Sequence, residues 1–362
     1  MTRSTDFDAL LLVSFGGPEG PDDVLPFLEN VTRGRGIPTE RLKQVGEHYF
    51  QFGGVSPINA QNRQLREELH RVLSERDVDL PVYWGNRNWS PYLADAIGQM
   101  RQDGVMRALA FFTSAYSSYS SCRQYRENLA AARREVGAGA PVIERIGPYF
   151  NHAGFIEPFV DNTLSALAEL PEELRGQARL VFTTHSIPIA MADASGVGEG
   201  AYVKQHRAVA ELVAAAVNQR SAVEHEWDLV FQSRSGPPQV PWLEPDIDDH
   251  LVSVLDDGAA AIVVIPIGFV SDHMEVVWDL DTQAAGRAKE LGLSMVRAKT
   301  PGSDPRFVSM VVDLIQERLD GTDVSARSRL GSLGAAPDRC AAGCCANPRL
   351  VLDAIGGMDN NE

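Results

Sequence analysis

Short apolar runs recur along this chain, and longer stretches with helical periodicity lie between them. The runs are Ala9–Phe15, Leu80–Gly85, Ala108–Thr113, Val142–Ile146, Arg179–Thr184, Asp228–Gln232, Ala260–Ile267 and Ser294–Ala298. A strand that is apolar on both faces must be covered on both faces, as in a parallel sheet with helices on either side. The helical patterns include Asn62–Ser74, Leu93–Met100, Tyr125–Val136, Ala201–Ala216 and Glu275–Glu290. Such alternation points to an α/β fold of Rossmann-like layers with parallel sheets.

The pattern occurs twice, which divides the chain into 1–150 and 151–320. In each half a first strand ends in a sharp loop, Phe15-Gly16-Gly17-Pro18 and then His185-Ser186-Ile187-Pro188. A later strand in each half ends in a polar or aromatic loop, Thr113–Cys122 and then Gly268–Glu275. Open α/β sheets bind ligands at the carboxyl ends of their strands, so the cleft between the halves is the expected site. From 321 to 362 the character changes. Asp320–Asp338 is rich in small and charged residues and reads as a linker, and a cysteine-containing tail follows. Disorder is expected for the last residues, Gly356–Glu362.

The 362 residues carry a formal net charge of −16, which disfavours nucleic acid and anionic membranes as partners. The polar start, Met1–Asp8, is not followed by an apolar h-region, so no signal peptide is expected. The longest apolar run, Ala259–Val270, is interrupted by Pro266 and Gly268 and is too short to span a bilayer. A cytoplasmic location is therefore expected. Cys122, Cys340, Cys344 and Cys345 are the only cysteines. In a reducing compartment such a cluster suggests a metal before a disulfide. Four thiolates suit a [2Fe–2S] cluster or a zinc site, although zinc usually takes C-x₂-C pairs. Free thiols in a tail are the plain alternative.

His185 stands at the end of a β-branched strand, where reactive groups gather. An ordinary loop histidine has the same appearance. Glu275 and Asp279 are four apart and share a face if helical, and adjacent carboxylates ask for a cation or a shared proton. Asp272 is placed to cap that helix. Arg33-Gly34-Arg35-Gly36 is a basic turn suited to carboxylates, and Gly53–Pro57 is a tight turn that brings Ser56 close to a ligand. G-x-G-x-x-G, Walker and G-x-S-x-G motifs are absent, which argues against nucleotide cofactors and serine hydrolysis.

Taken in order, six segments resemble the ferrochelatases, and most nearly their actinobacterial, coproporphyrin branch. They are Leu11–Pro18, Gly53–Pro57, Thr184–Pro188, Gln232–Gly236, Pro241–Asp246 and Gly268–Asp281. The resemblance implies two Rossmann-like domains that hold a porphyrin between them. It implies an enzyme that inserts ferrous iron into coproporphyrin III to give coproheme in haem biosynthesis. His185 and Glu275 match the metal-insertion pair. Phe15, Ser56, Tyr125 and Arg33 are the expected porphyrin contacts, with Phe15, Tyr116 and Trp278 as packing walls. Asp272 and Asp279 match an acidic ladder for metal or protons. Cys122, Cys340, Cys344 and Cys345 match the ligands of a [2Fe–2S] cluster. The next enzyme of haem synthesis is an expected partner. Phe15 departs from relatives that carry a tyrosine ligand there, and Asn88 from relatives with a histidine. The alternatives are a protoporphyrin IX chelatase and a non-catalytic tetrapyrrole carrier.

Overall fold

A computed structural model describes residues 7–341, 343–347 and 352–356. The expected strands all form: β1 (Ala9–Ser14), β2 (Val82–Asn86), β3 (Arg107–Phe112), β4 (Val142–Arg145), β5 (Arg179–His185), β6 (Trp227–Gln232), β7 (Ala261–Ile265) and β8 (Ser294–Arg297). They make two four-stranded sheets, ordered β2-β1-β3-β4 and β6-β5-β7-β8, with every pairing parallel. The shared strand order is the duplication of architecture anticipated from the sequence. The central strands β1 and β7 are buried along their whole length, which is why they read as unbroken apolar runs.

The line between residues 150 and 151 falls between the sheets, yet one core runs across it. Leu12 and Phe111 from the first half share that core with Phe182, Val263 and Phe307 from the second. Helix Pro305–Leu319 returns to the first half, where Asp313 pairs with Arg76 at 2.5 Å and Arg318 with Glu144 at 2.8 Å. The two halves are thereby held at a fixed separation, and the carboxyl ends of their strands face one cleft.

Two local expectations are corrected. The stretch Glu275–Glu290 is not one α-helix. A short helix, Met274–Val277, passes into a wide π-type turn, Asp279–Ala284, and then into helix Ala285–Leu291. The amide of Gln283 reaches the carbonyl of Trp278, five residues back, at 2.9 Å. Such widened turns are frequent at functional sites. The helix is capped by His273, whose ring accepts from the Glu275 amide, rather than by Asp272. The Asp272 carboxylate is held instead by Thr300 and Arg297 at 3.0 and 3.3 Å.

The expected linker is irregular in conformation but bound to the fold. Arg327 pairs with Asp338 at 2.6 Å and Arg329 with Glu317 at 2.8 Å. Ion pairs do here what an apolar periodicity would do elsewhere, so no hydrophobic pattern advertised the attachment. Of the residues expected to be disordered, Gly356–Glu362, the first is placed in a turn and its carbonyl accepts from the Cys340 amide at 3.1 Å, while 357–362 lie outside the described residues. Among the described residues no helix is long and apolar enough to cross a membrane.

Candidate active site

A cavity of about 750 Å³ opens between the two sheets, large enough for a sizeable organic ligand. β5 delivers His185 to it directly. Gly268 lets the loop after β7 pass against β5, since a Cβ there would lie 2.2 Å from Thr184 Oγ1. That close approach brings Glu275 to His185, with Nε2 and Oε1 3.5 Å apart. The Ser186 carbonyl accepts from Nδ1 of His185 in a very short bond, which leaves Nε2 turned toward Glu275. The end of β6 fixes the other partner, because Gln232 Nε2 donates to the Glu275 carbonyl at 2.6 Å.

The electrostatics follow from this packing. Burial opposes a charge on His185, but Glu275, the Ser186 carbonyl and Asp279 outweigh it, so its pKa is raised. Burial likewise opposes ionisation of Glu275, but His185, His273 and Arg35 hold its carboxyl down at about 2. Asp279 behaves differently. Burial and the neighbouring Glu275 charge push it up to about 7, against the Ser233 hydroxyl that donates to it. One wall thus holds an imidazole that takes up protons, a fixed carboxylate and a carboxyl titrating near neutrality.

The facing wall is of a different kind. Phe15 follows β1, and the Arg87 guanidinium lies over the Tyr125 ring at 4.3 Å and the Phe15 ring at 5.6 Å. Arg87 is held by Asn128 at 2.7 Å. Ser56 and Tyr125 line this wall as expected, and Asn88 lines it too. The basic turn is resolved in an unexpected way: Arg35, not Arg33, lines the cavity, while Arg33 is exposed outside it. Alternate residues of an irregular turn point apart, and sequence spacing does not say which one turns inward. Asp272, engaged by Arg297, is absent from the lining, whereas Asp279 belongs to it. Tyr116 lines the cavity, its hydroxyl donating to the Ile267 carbonyl at 2.8 Å. Trp278 lines it as well, its ring stacked on His48 at 3.9 Å. His48, Arg87 and Gln232 were not singled out as site residues, because their roles depend on contacts across the fold rather than on local pattern.

The four cysteines line a second, smaller cavity of about 230 Å³. Cys122 sits in a wide turn, Tyr119–Arg123, on the first half. Arg145 donates to Cys122 Sγ at 2.8 Å and to Cys340 Sγ at 3.0 Å. The Gly196 amide donates to Cys345 Sγ at 3.1 Å, and Cys344 Sγ lies 3.8 Å from that sulfur. All four thiols are free. Among the described residues no group of three or more His, Cys, Asp or Glu is found that could hold a metal ion as the side chains stand.

The ferrochelatase family model matches residues 7–319, which span both sheets and the cavity. The chain belongs to the ferrochelatase family. Among curated relatives, the coproporphyrin III ferrochelatase of Streptomyces coelicolor is 58% identical over 99% of this chain and 98% of its own length. A ferrochelatase of Rhodopirellula baltica is 51% identical over 95% of each chain. Among solved structures, SirB from Bacillus subtilis with Fe³⁺ matches with a TM-score of 0.52 at 11% identity. That match covers 87% of this ferrochelatase and 97% of SirB, and it speaks to the fold alone.

Proposed function

We propose that this enzyme inserts ferrous iron into coproporphyrin III to give coproheme for haem synthesis, with His185 and Glu275 at the point of insertion. The observation that carries the reading is the His185–Glu275 pair, 3.5 Å apart and facing an aromatic wall across a ligand-sized cavity. The names of the closely related Streptomyces enzymes support the choice of porphyrin.

A free porphyrin carries two pyrrole protons that must leave as iron enters. His185, its pKa raised, is suited to accept one of them at Nε2. Glu275 stays ionised throughout the working range and offers the incoming cation a fixed negative charge. Asp279 exchanges protons near neutrality and lies next on the same wall. Together the three form a route that moves positive charge out as iron moves in. Phe15 and Tyr125 hold the ring from the opposite side by packing. Ser56, Arg35 and Arg87 supply hydroxyl and guanidinium groups for the propionates. Binding at these remote groups offsets the cost of bending the macrocycle at its centre.

We read the cysteine cavity as the seat of the [2Fe–2S] cluster that the family resemblance implies, and its donor set supports that reading. Its donors are four free thiols on one cavity, with a buried cation beside two of them. Cys122, Cys340, Cys344 and Cys345 would hold the cluster, which would supply one-electron chemistry away from the insertion site. We place the reaction in the cytoplasm, with the next enzyme of haem synthesis as the acceptor of product. The test is anaerobic mixing of the purified enzyme with ferrous iron and either coproporphyrin III or protoporphyrin IX. Multiple turnover with coproporphyrin is expected. Stoichiometric binding without turnover would make the protein a carrier, and preference for protoporphyrin would overturn the substrate.

A further inference from the structure

Arg145 stands at the end of β4 and is 3% exposed. A buried guanidinium is costly unless an anion faces it. Its partners are the Asp338 carbonyl at 2.9 Å, the Pro337 carbonyl at 3.0 Å and the sulfurs of Cys122 and Cys340. The nearby Asp338 carboxylate is engaged elsewhere, accepting from Arg327 at 2.6 Å and from the Gly147 amide at 2.9 Å. A second buried cation, Arg126, lies behind the first. Its Nε donates to the Ile355 carbonyl at 2.5 Å, and its Nη1 has no partner. The Asp338 carboxylate lies near enough to offset part of the Arg145 charge, and in direct contact the guanidinium fork meets two backbone carbonyls and two sulfurs.

The backbone is shaped to the same end. A Cβ on Gly147 would lie 2.9 Å from the Ala336 carbonyl and 3.0 Å from that of Pro337. The glycine therefore lets the segment leading to Cys340 lie directly against the end of β4. Cys122 comes from the first half, Cys340 from the tail, and one fork spans both sulfurs.

We propose that Arg145 is the positioning residue of the cysteine site: it joins Cys122 to the tail cysteines and raises the reduction potential of the cluster they hold. The inference rests on the cluster reading above. A [2Fe–2S] centre with four thiolates is doubly negative when oxidised and triply negative after taking up one electron. Hydrogen bonds to the sulfurs and a nearby cation favour the more negative state, and so raise the potential. Lysine in place of Arg145 keeps a charge but loses the fork that bridges two sulfurs.

The experiment uses the full chain, purified anaerobically as wild type, Arg145→Lys and Arg145→Met. Iron, sulfide and zinc are assayed, visible spectra are recorded, and each protein is titrated with dithionite in the presence of redox mediators. Wild type should show two irons and two sulfides per chain. Arg145→Lys should keep the cluster at a more negative potential. Arg145→Met should shift further negative or lose cluster content, while iron insertion still proceeds as a sign of intact folding. Full cluster content at unchanged potential in both variants would overturn the role of Arg145. Zinc, or no metal, in the wild type would overturn the cluster reading itself and this role with it.

Discussion

The two sheets have the same strand order, and each brings the end of its first strand to the cavity, yet β1 is followed by Phe15 and β5 ends at His185. Phe15, Tyr125, Ser56, Arg35 and Arg87 line the cavity from the first half, and among the described residues every carboxylate lining it comes from the second half. Around His185 stand Glu275 and Asp279, tied to the Gln232-Ser233 end of β6. A duplicated scaffold therefore carries a divided task. In the proposed mechanism the first half recognises and presses on the ring, and the second exchanges protons and metal. Function here follows the side chains at matching strand ends rather than the fold that places them.

The most direct way to break this division is to remove the imidazole. His185→Ala should lower the rate of iron insertion by about 10²–10⁴-fold, the range of a positioned acid–base group. Porphyrin affinity, followed by fluorescence quenching, should change little because the first wall is untouched. Equal losses in binding and rate would show that the walls do not divide their work. Glu275→Gln comes next, with a loss approaching ~10²-fold. Here the sign of the pH effect is the sharper test. Glu275 raises the His185 pKa against burial, so its removal lets burial dominate and the pKa falls. The limb on which rate rises as His185 loses its proton should then move to lower pH. A limb that stays in place would disconnect the pair.

Asp279→Asn should cost less, about tenfold, because the group stands one step behind the reacting atoms. The wild-type carboxyl titrates near 7, so its contribution as an ionised group is present above that pH and fades below it. The variant should lack that inflection in its pH–rate profile. A profile identical to wild type would remove Asp279 from the route and leave Glu275 as the only carboxylate in it.

The layers, the strands and the place of His185 at a strand end beside the cavity were legible in the sequence because they rest on local signals. An unbroken apolar run marks a parallel strand, and the residue at its carboxyl end is the one that reaches the cleft. Glu275 was legible too, although the turn that presents it was not. The π-type turn at Asp279–Ala284 has the same residue pattern as an α-helix, and only a carbonyl choosing a donor five residues on distinguishes them. Asp272 misled for a related reason. It sits where a cap belongs, but Arg297, a strand away, offers a charge that the helix end cannot match. Arg87 was legible as a basic residue and not as part of a wall, since its stacking on Tyr125 joins two segments distant in sequence.

Arg33 and Arg35 give the finest version of the comparison, because they are near neighbours in one turn and only the second lines the cavity. Arg35 is exposed to solvent, so an ion pair from it to a propionate is worth about 0.5–1 kcal/mol. Arg35→Ala should therefore raise the KM for coproporphyrin about 2–5-fold, most clearly at low salt, with kcat nearly unchanged. The same change also withdraws a positive charge that holds the Glu275 pKa down. Glu275 remains ionised at neutral pH even so, and any kcat effect should be confined to acidic conditions. Arg33→Ala should alter neither constant. If Arg33→Ala raised KM and Arg35→Ala did not, the turn would present its other arginine to the ligand, and the first wall would have to be redrawn around it.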